Sequence, residues 1–272
     1  MSEATPKAEQ GPVTVRRLRR MKAEGRRIVA LTAYDASFAA VLDEAGVDVV
    51  LVGDSLGMVV QGHDSTVPVS LDDMVYHARA VARGCRRALR VVDMPFGTYG
   101  SPAAAHAAAV RLMQEGAAQV VKLEGGAVQR EVVRHLSERG IPVCAHLGLT
   151  PQWVHKLGGY RLQGREREAA ERMVTEARLL EAAGAELLVL ECVPTALAGR
   201  IRRELAIPVI GIGAGPDCDG QVLVLYDLLG LTRGPRFARD FLAGRGSVRE
   251  AVAAYCEAVR AGAFPGEAET IA

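Results

Sequence analysis

The sequence predicts an α/β protein: a (β/α)8 barrel of the TIM type with one extra helix before the first strand. Short apolar runs rich in Val, Ile and Leu alternate with longer helical stretches, which is the pattern of repeated βα units and a parallel sheet. Eight such runs occur in the 272 residues. That number fits a closed barrel better than an open doubly wound sheet, the structural alternative. The first run also lacks the Gly-x-Gly-x-x-Gly turn of a dinucleotide-binding sheet.

The eight runs are predicted as strands, and the amphipathic segments between them as helices. Ser70 and Ser101 stand at N-cap positions, and glycines close several helices. The predicted strands are residues 27–34, 48–55, 89–96, 119–126, 142–149, 186–193, 208–214 and 221–227. The predicted helices include residues 37–45, 71–83, 103–115, 128–139 and 166–183.

The N-terminal part carries the extra helix. Residues 17–27 are basic and helical in pattern, and a charge run on a helix usually forms a solvated face. Residues 1–12 are predicted as a flexible tail. No Pro/Ser-rich linker divides the chain, so residues 1–272 are predicted as one barrel domain.

Composition and charge narrow the class of protein. The chain is 49% hydrophobic and 24% charged, as globular domains are, and its formal net charge is +1. No whole-chain field therefore favours nucleic acid or an anionic membrane. No apolar run approaches the roughly 18 residues of a spanning helix, and the first residues lack a signal peptide's apolar core. We expect a cytoplasmic protein without a nucleic-acid or membrane partner.

The five cysteines form no Cys-x-x-Cys pair and are odd in number. A chain of this length needs no disulfide staples, so we expect reduced, packed thiols. Cys192 adjoins a motif described below. A catalytic role for it is the minority alternative to simple burial.

Strand after strand is apolar until its last residues and then ends in a polar group. In a TIM barrel these ends face the active-site mouth. Asp54 and Ser55 end the second run, and Asp93 ends the third. In the fourth run, alternation places Lys122 and Glu124 on one face, with the ammonium about 7 Å below the carboxylate. These side chains are predicted to converge.

Three of these acids predict a metal site. Asp54, placed by alternation on the face of Val50 and Val52, belongs with Asp93 and Glu124 to consecutive strands about 5 Å apart. Like charges so close need a cation, or protonation of one carboxylate. Oxygen ligands favour Mg²⁺ over zinc, and Mg²⁺ usually takes one or two carboxylates. We predict direct contacts from Asp54 and Asp93 and a water-mediated one from Glu124. The alternative is three unrelated acids that cap loops or helices.

Glu191 stands apart on the sixth strand, where alternation places it with Leu187 and Val189. An acid in such an apolar run is either paired or functional, and we predict Glu191 as a general base. Lys122 either stabilises a developing enolate or pairs with a carboxylate. His146 orients a substrate carboxylate, shuttles protons or is a buried structural histidine.

Gly211, Gly213 and Gly215 end the seventh run, where barrels often carry a phosphate-binding loop. Their spacing is not that of a P-loop, and no Lys-Ser or Lys-Thr follows. Close packing, or room for a bulky cosubstrate, would explain them equally. The glycines are therefore only a weak indication of a phosphate ligand.

Longer motifs surround the strand ends. They read VGDSLG (52–57), QGHDST (61–66), DMPF (93–96), VKLEGG (121–126), HLGLTPQ (146–152), GGYRLQG (158–164), LECVP (190–194) and GIGAG (211–215). Together, and in this order, they closely resemble the ketopantoate hydroxymethyltransferase family. The resemblance extends from about residue 27 to beyond residue 227.

The resemblance implies a barrel enzyme that makes ketopantoate, on the way to pantothenate and coenzyme A. Its implied substrates are 3-methyl-2-oxobutanoate and 5,10-methylenetetrahydrofolate, with one Mg²⁺ per subunit. The implied metal acids are the three already singled out, and the implied proton acceptor is Glu191. The implied substrate contacts are Asp54, Ser55, Asp93 and Lys122, to which the residue pattern adds His146.

The resemblance also implies a homo-oligomer, commonly a decamer, which the sequence itself does not show. Two departures occur. Trp153 and His155 stand after Thr-Pro-Gln, where relatives usually carry smaller polar residues, so we expect a loop beside the site to differ in detail. The tail after Phe264-Pro-Gly lacks the usual acidic-His-Ser-Phe ending, so we expect some terminal or interface contacts to differ as well.

The chemistry predicted from residues and resemblance is enolisation of a 2-oxo acid. The metal polarises the carbonyl, Glu191 removes the C3 proton, and the enolate attacks the one-carbon unit of the folate. The nearest rival is a lyase or mutase of the phosphoenolpyruvate mutase and isocitrate lyase type. A non-catalytic metal or metabolite sensor and a phosphate-binding barrel are more distant rivals.

Overall fold

The chain forms a closed barrel of eight parallel strands in a computed structural model that describes residues 11–270. Neighbouring strands pair in sequence order, and the eighth pairs with the first. The predicted TIM-type barrel is confirmed, since each predicted run overlaps one strand. The predicted flexible tail lies almost wholly outside the described residues. The strands are β1 Ile28–Thr32, β2 Val49–Val52, β3 Leu89–Asp93, β4 Val120–Glu124, β5 Val143–Gly148, β6 Ala185–Glu191, β7 Val209–Ile212 and β8 Gly220–Leu223.

Helices precede the barrel and follow most of its strands, and two short 3₁₀ turns lie at Ala127–Gln129 and Pro151–Trp153. All five predicted helices named above are present within a few residues of their expected bounds. The α-helices of the described part are α1 Val15–Ala23, α2 Ala36–Glu44, α3 Leu56–Val59, α4 Leu71–Gly84, α5 Pro102–Gln114, α6 Arg130–Ser137, α7 Val154–Leu157, α8 Arg167–Ala182, α9 Thr195–Glu204, α10 Leu225–Leu228 and α11 Val248–Arg260.

Local sequence accounts for where α4 and α5 begin. The Ser70 hydroxyl accepts a hydrogen bond from the Asp73 amide, and the Asp73 carboxylate accepts one from the Ser70 amide, which closes a capping box. Ser101 caps α5, and Pro102 occupies its first turn, where no backbone donor is needed. Both predicted N-caps are confirmed.

Alternation along the strands divides the core into two layers. One set of strand residues packs outward against the helices, and the other fills the barrel interior. Leu18 and Met21 of α1 join the interior layer. Lys22 of α1 donates to the carbonyl of Ile207, which precedes β7. Val13, just before the helix, donates to that of Arg87, which precedes β3. Because of these contacts, α1 covers the N-terminal end of the barrel. The C-terminal end of the barrel stays open, and the polar residues at the strand ends lie there.

The basic residues of α1 are not simply a solvated face, as the charge run had predicted. The Lys22 ammonium donates to the carbonyls of Arg202 and Ile207 at 2.9 and 2.8 Å and lies 3.0 Å from an Asp219 oxygen. Arg19 forms a 2.7 Å ion pair with Glu186 of β6. The prediction is wrong for Lys22, whose side chain is largely buried against the N-terminal end of the barrel, whereas Arg19 keeps half of its side chain exposed and agrees with the prediction.

The connection from β7 to β8 is a loop, residues 213–219, and not a helix. A Cβ atom on Gly211 would lie 2.8 Å from the Cys218 sulfur, and one on Gly213 would lie 2.7 Å from the Phe237 ring. Gly213 and Gly215 also adopt positive φ angles of 61° and 75°. The glycines therefore serve close packing and a tight turn, and no helix N-terminus follows β7 to attract phosphate.

The eighth predicted run is partly wrong. Residues 221–223 belong to β8, but residues 225–228 form the short helix α10. The backbone amide of Leu225 donates to the Thr32 hydroxyl, which fixes the start of this helix against β1. Within residues 11–270, no helix is long and apolar enough to cross a membrane.

We predict that Asp219→Asn lowers the free energy of unfolding by about 3 kcal/mol, because a buried carboxylate that serves two cations is lost. Asp219 contacts Lys22, accepts a 2.7 Å hydrogen bond from Arg202 and accepts another from the Val209 amide. Urea unfolding measures the change.

The matched control is Glu44→Gln. Glu44 pairs with Arg249, and both side chains are more than half exposed, so its loss should cost less than about 1 kcal/mol. Equal losses in the two variants would contradict the prediction.

Candidate active site

A cavity of about 540 Å³ opens at the C-terminal end of the barrel. The structure brings every predicted site residue into its wall. Seven side chains from five consecutive strands or the turns that follow them are involved. They are Asp54, Ser55, Asp93, Lys122, Glu124, His146 and Glu191.

Strand register explains the layering of these groups. Asp93 of β3 pairs with Lys122 of β4, and Glu124 pairs with His146 of β5. Val120 packs in the barrel interior, so alternation carries Lys122 and Glu124 inward above it. Asp93 and Lys122 thus form a lower level of the site, and Glu124 and His146 form the level above it.

Asp54 reaches the cavity by a route that alternation did not predict. Val50 and Val52 pack outward against the helices, whereas Val49 faces the interior. The prediction that Asp54 shares the face of Val50 and Val52 is wrong, because β2 ends at Val52 and Asp54 lies in the following turn. The Asp54 amide then donates to an Asp93 carboxylate oxygen at 3.1 Å.

Asp93 and Lys122 form a buried ion pair, with 2.6 Å between ammonium and carboxylate. Burial alone lowers the pKa of Lys122, but the carboxylates of Asp93, Glu124 and Asp54 outweigh it and raise that pKa overall. Lys122 is therefore an ammonium at neutral pH. Of its two predicted roles, pairing with a carboxylate is the one seen here.

Gln152, in the 3₁₀ turn after β5, joins the remaining carboxylates. Its side-chain amide donates to Asp54 at 2.8 Å and to the Met94 carbonyl at 2.9 Å, and its backbone amide donates to Glu124 at 3.1 Å. Its side-chain oxygen accepts from the Tyr99 hydroxyl. Every polar group of this buried side chain has a partner, so Gln152 fixes the orientation of both acids.

Reasoning from the sequence missed Gln152 as a site residue. It lies beyond the strand end, and its partners are far away along the chain, 28 residues for Glu124 and 98 for Asp54. Its presence in the HLGLTPQ motif was the available signal.

The three acids carry more negative charge than Lys122 offsets. Burial raises the pKa of Asp54 well above its ordinary range, and the charges of Asp93 and Glu124 raise it further. Without a cation, a proton is therefore favoured on Asp54, whereas a hard divalent ion would offset the charge through oxygen ligands. The donor set fits Mg²⁺ in kind. In residues 11–270, no three His, Cys, Asp or Glu side chains surround one ion position.

His146 lies between two carboxylates. Its Nδ1 is 3.3 Å from Glu124 and its Nε2 is 3.2 Å from Glu191, although neither contact has good hydrogen-bond geometry. Burial and Lys122 lower the pKa of His146, but the contacts with Glu124 and Glu191 prevail and raise it to about 9. An imidazolium therefore links the inner acids to Glu191. Both ring nitrogens face protein carboxylates, so the predicted substrate contact of His146 stays a prediction.

Glu191 is held by the close approach of β5 and β6. The Leu149 amide donates to the Glu191 carbonyl at 2.8 Å. Gly148 has a φ of 95°, and a Cβ atom there would lie 2.1 Å from the same carbonyl oxygen. The Glu191 side chain keeps 16% of its surface exposed, against 2% for Glu124. It is thus the carboxylate of this pair that an entering ligand meets first.

The Cys192 thiol is not a favoured nucleophile. Burial raises the pKa of Cys192 to about 12, and the charge of Glu191 adds to that rise. The thiolate, which is the reactive form, is scarce at neutral pH. All five cysteines are free and buried, as the sequence had predicted.

Two further features border the site. Ser55 and the Tyr34 hydroxyl share a 2.9 Å hydrogen bond, and burial raises the pKa of Tyr34, so this phenol stays neutral. Trp153 packs beneath the Lys156 ammonium, 4.8 Å from the ring centroid, and His155 is exposed. Neither Trp153 nor His155 belongs to the cavity wall, so these departures leave the buried groups untouched.

Buried ionisable groups that converge in a cavity at the strand ends define a TIM-barrel enzyme. Solved structures share the fold. A phosphonopyruvate hydrolase in complex with oxalate and Mg²⁺ aligns with a TM-score of 0.61 at 15% identity, covering 91% of this chain and 96% of that one. A 2,3-dimethylmalate lyase of the PEP mutase/isocitrate lyase superfamily gives 0.55 at 18% identity, covering 80% and 81%. At these identities the likeness concerns the fold alone.

The chain belongs to the ketopantoate hydroxymethyltransferase family, whose sequence profile matches residues 12–267. The 3-methyl-2-oxobutanoate hydroxymethyltransferase of Alkalilimnicola ehrlichii is 59% identical over 272 residues, covering 99% of this chain and 98% of that one. That of Halorhodospira halophila is 60% identical over 260 residues, covering 95% and 94%. The protein is therefore a hydroxymethyltransferase, as its motifs had indicated.

We predict that Gln152→Ala lowers kcat by about 10- to 100-fold, because Asp54 and Glu124 lose a donor that orients them. The loss should fall on kcat and on the apparent affinity for Mg²⁺, which steady-state kinetics and a Mg²⁺ titration measure. The thermal unfolding midpoint should also fall, because the Tyr99 hydroxyl and the Met94 carbonyl lose their buried partner.

Gln129→Ala is the control, since Gln129 is also a buried glutamine, but within residues 11–270 its side chain forms no hydrogen bond with Asp54 or Glu124. Similar kinetic losses in both variants would show that Gln152 has only a structural role.

Proposed function

We propose that this enzyme transfers a hydroxymethyl group from 5,10-methylenetetrahydrofolate to 3-methyl-2-oxobutanoate, forming ketopantoate for pantothenate and coenzyme A biosynthesis. The names of its relatives supply the acceptor and the group transferred. The observation that carries the proposal is the position of Glu191, which borders the cavity and contacts His146 beside the buried acids. Beside the buried acids that would hold a metal ion, the Glu191 carboxylate is suitably placed to remove a proton from the carbon next to the keto group of a 2-oxo acid.

The cation in this proposal is one Mg²⁺ per subunit, held directly by Asp54 and Asp93 and through water by Glu124. When bound, it would polarise the keto group of the 2-oxo acid and acidify the neighbouring C–H bond. The oxygen donors and the unbalanced negative charge support this assignment.

Glu191 is the proposed base for the C3 proton. Its side chain is partly accessible, and the adjacent His146 offers a cation that offsets the negative charge near it. As the proton leaves C3, charge develops on the carbonyl oxygen, and the Lys122 ammonium stabilises it from the floor of the cavity. Asp93 holds Lys122 in place at 2.6 Å.

The transfer then balances without a redox cofactor. C3 forms a bond to the one-carbon unit, both bonds from that carbon to the folate nitrogens break, and water supplies the hydroxyl oxygen. Tetrahydrofolate leaves with two protons, one on each of those nitrogens, of which one comes from C3 and the other from the water. His146, between Glu191 and Glu124, provides a route by which the C3 proton can move within the site.

Two parts of the prediction lie outside this chemistry. The homo-oligomer, a decamer by family resemblance, and the cytoplasmic location stay predictions. Neither bears on how Glu191 or the acids act within one barrel.

We expect Glu191→Gln to slow hydrogen–deuterium exchange at C3 of 3-methyl-2-oxobutanoate by roughly 10²- to 10⁴-fold, since the amide cannot accept the proton. Proton NMR in D₂O follows the exchange without the folate.

Glu186→Gln is the control on the same strand, because the Glu186 side chain pairs with Arg19 outside the cavity. Exchange at the wild-type rate in Glu191→Gln would exclude this residue as the base.

The whole reaction is tested by incubating the protein with 3-methyl-2-oxobutanoate and 5,10-methylenetetrahydrofolate. Ketopantoate should form with Mg²⁺, disappear after chelation and return when Mg²⁺ is restored. Full turnover after complete metal removal would contradict the metal role. Turnover of phosphonopyruvate in place of 3-methyl-2-oxobutanoate would favour a lyase or mutase.

A further inference from the structure

We propose that Arg233 and Arg236, at the mouth of the cavity, bind the glutamate carboxylates of the folate cosubstrate. This inference rests on the proposed function and assigns a place to the cosubstrate within it. Both arginines follow α10, and both line the same cavity as Glu191. Arg161, on the loop after β5, lines it as well.

The charges of the cavity are separated by depth. Asp54, Asp93 and Glu124 are each buried, whereas Arg233 and Arg236 are exposed. Within residues 11–270, the guanidinium groups of Arg161, Arg233 and Arg236 form no hydrogen bond or ion pair. The mouth of the cavity therefore presents positive charge that is available to a ligand.

The one acid near this segment that lines the cavity is already engaged. The Asp227 carboxylate accepts a hydrogen bond from the Thr232 hydroxyl, and burial raises the pKa of Asp227. In the described part of the chain it pairs with neither Arg233 nor Arg236. An anionic group from outside the protein would thus meet no competing carboxylate there.

The cavity is too large for the 2-oxo acid alone. Its volume of about 540 Å³ lies in the range of about 300–1,000 Å³ that suits drug-sized ligands, and the acceptor has only five carbons. The segments that carry the arginines also contribute Tyr160, Leu162 and Phe237 to the wall. This apolar and aromatic surface fits flat ring systems.

A reduced folate combines the features that this wall and mouth require. Its pterin and p-aminobenzoate rings are flat, and its glutamate ends in two carboxylates. Guanidinium groups bind carboxylates through paired hydrogen bonds in a planar geometry. With the one-carbon unit near Glu191, the glutamate end of such an elongated molecule points towards the mouth.

The test compares tetrahydrofolate with tetrahydropteroate, which has the same rings without the glutamate. Calorimetry measures the binding of each to the Mg²⁺-loaded protein with 3-methyl-2-oxobutanoate present. The wild type should bind tetrahydrofolate about tenfold more tightly, a difference expected from charge-assisted contacts at an exposed site. In the Arg233→Gln/Arg236→Gln variant this preference should vanish, with the affinity for tetrahydropteroate unchanged.

Arg172→Gln is the matched control, because Arg172 is exposed on α8 and does not line the cavity. It should keep the wild-type preference, and both variants should keep wild-type C3 exchange, which shows that the fold and the inner site are intact. A preference that survives in the double variant, or is absent from the wild type, overturns the proposal. So does a double variant whose defect is in binding of the 2-oxo acid.

Failure of the reaction is a separate result. A protein that shows the arginine-dependent glutamate preference but forms no ketopantoate would contradict the proposed function and leave the folate subsite supported. Ketopantoate formation without that preference would support the proposed function and contradict the folate subsite.

Discussion

The buried ion pair between Asp93 and Lys122 is the constraint on which the rest of the site depends. Register makes the two residues direct neighbours on β3 and β4, and the ammonium can remain charged inside the barrel only beside carboxylates. Removing either partner would leave an uncompensated buried charge, which is strongly destabilising. The backbone amide of Asp54 attaches to the same Asp93 carboxylate, so this pair positions the first acid and the lysine together.

Most of the barrel and much of the site could be predicted from local patterns. Strand alternation correctly placed Lys122 and Glu124 on the inner face, because both lie within a regular strand. It failed for Asp54, which follows the end of β2, where backbone direction no longer obeys a period of two. The roles of Gln152 and Lys22 were not predicted, for a different reason. Their roles depend on partners brought close only by the completed barrel, which neither propensity nor periodicity describes.

The fold of this chain does not by itself determine its reaction. The barrel aligns with hydrolases and lyases at 15–18% identity, so the architecture alone is compatible with several reactions of small acids. The buried carboxylates and their hydrogen-bonded supports restrict the chemistry, and identities near 60% over almost the whole chain restrict it to one family. Positively charged groups at the mouth add a feature that neither the fold nor the buried cluster requires.

The position of helix α1 determines the route by which small molecules enter and leave the cavity. By packing Leu18 and Met21 into the interior layer, it closes the end of the barrel beneath the buried acids. A small molecule seated against Glu191 must therefore enter and leave past the arginine-lined opening on the other side. Under the proposed function, a folate in that opening would block the exit of the 2-oxo acid beneath it. The 2-oxo acid would then have to bind before the folate.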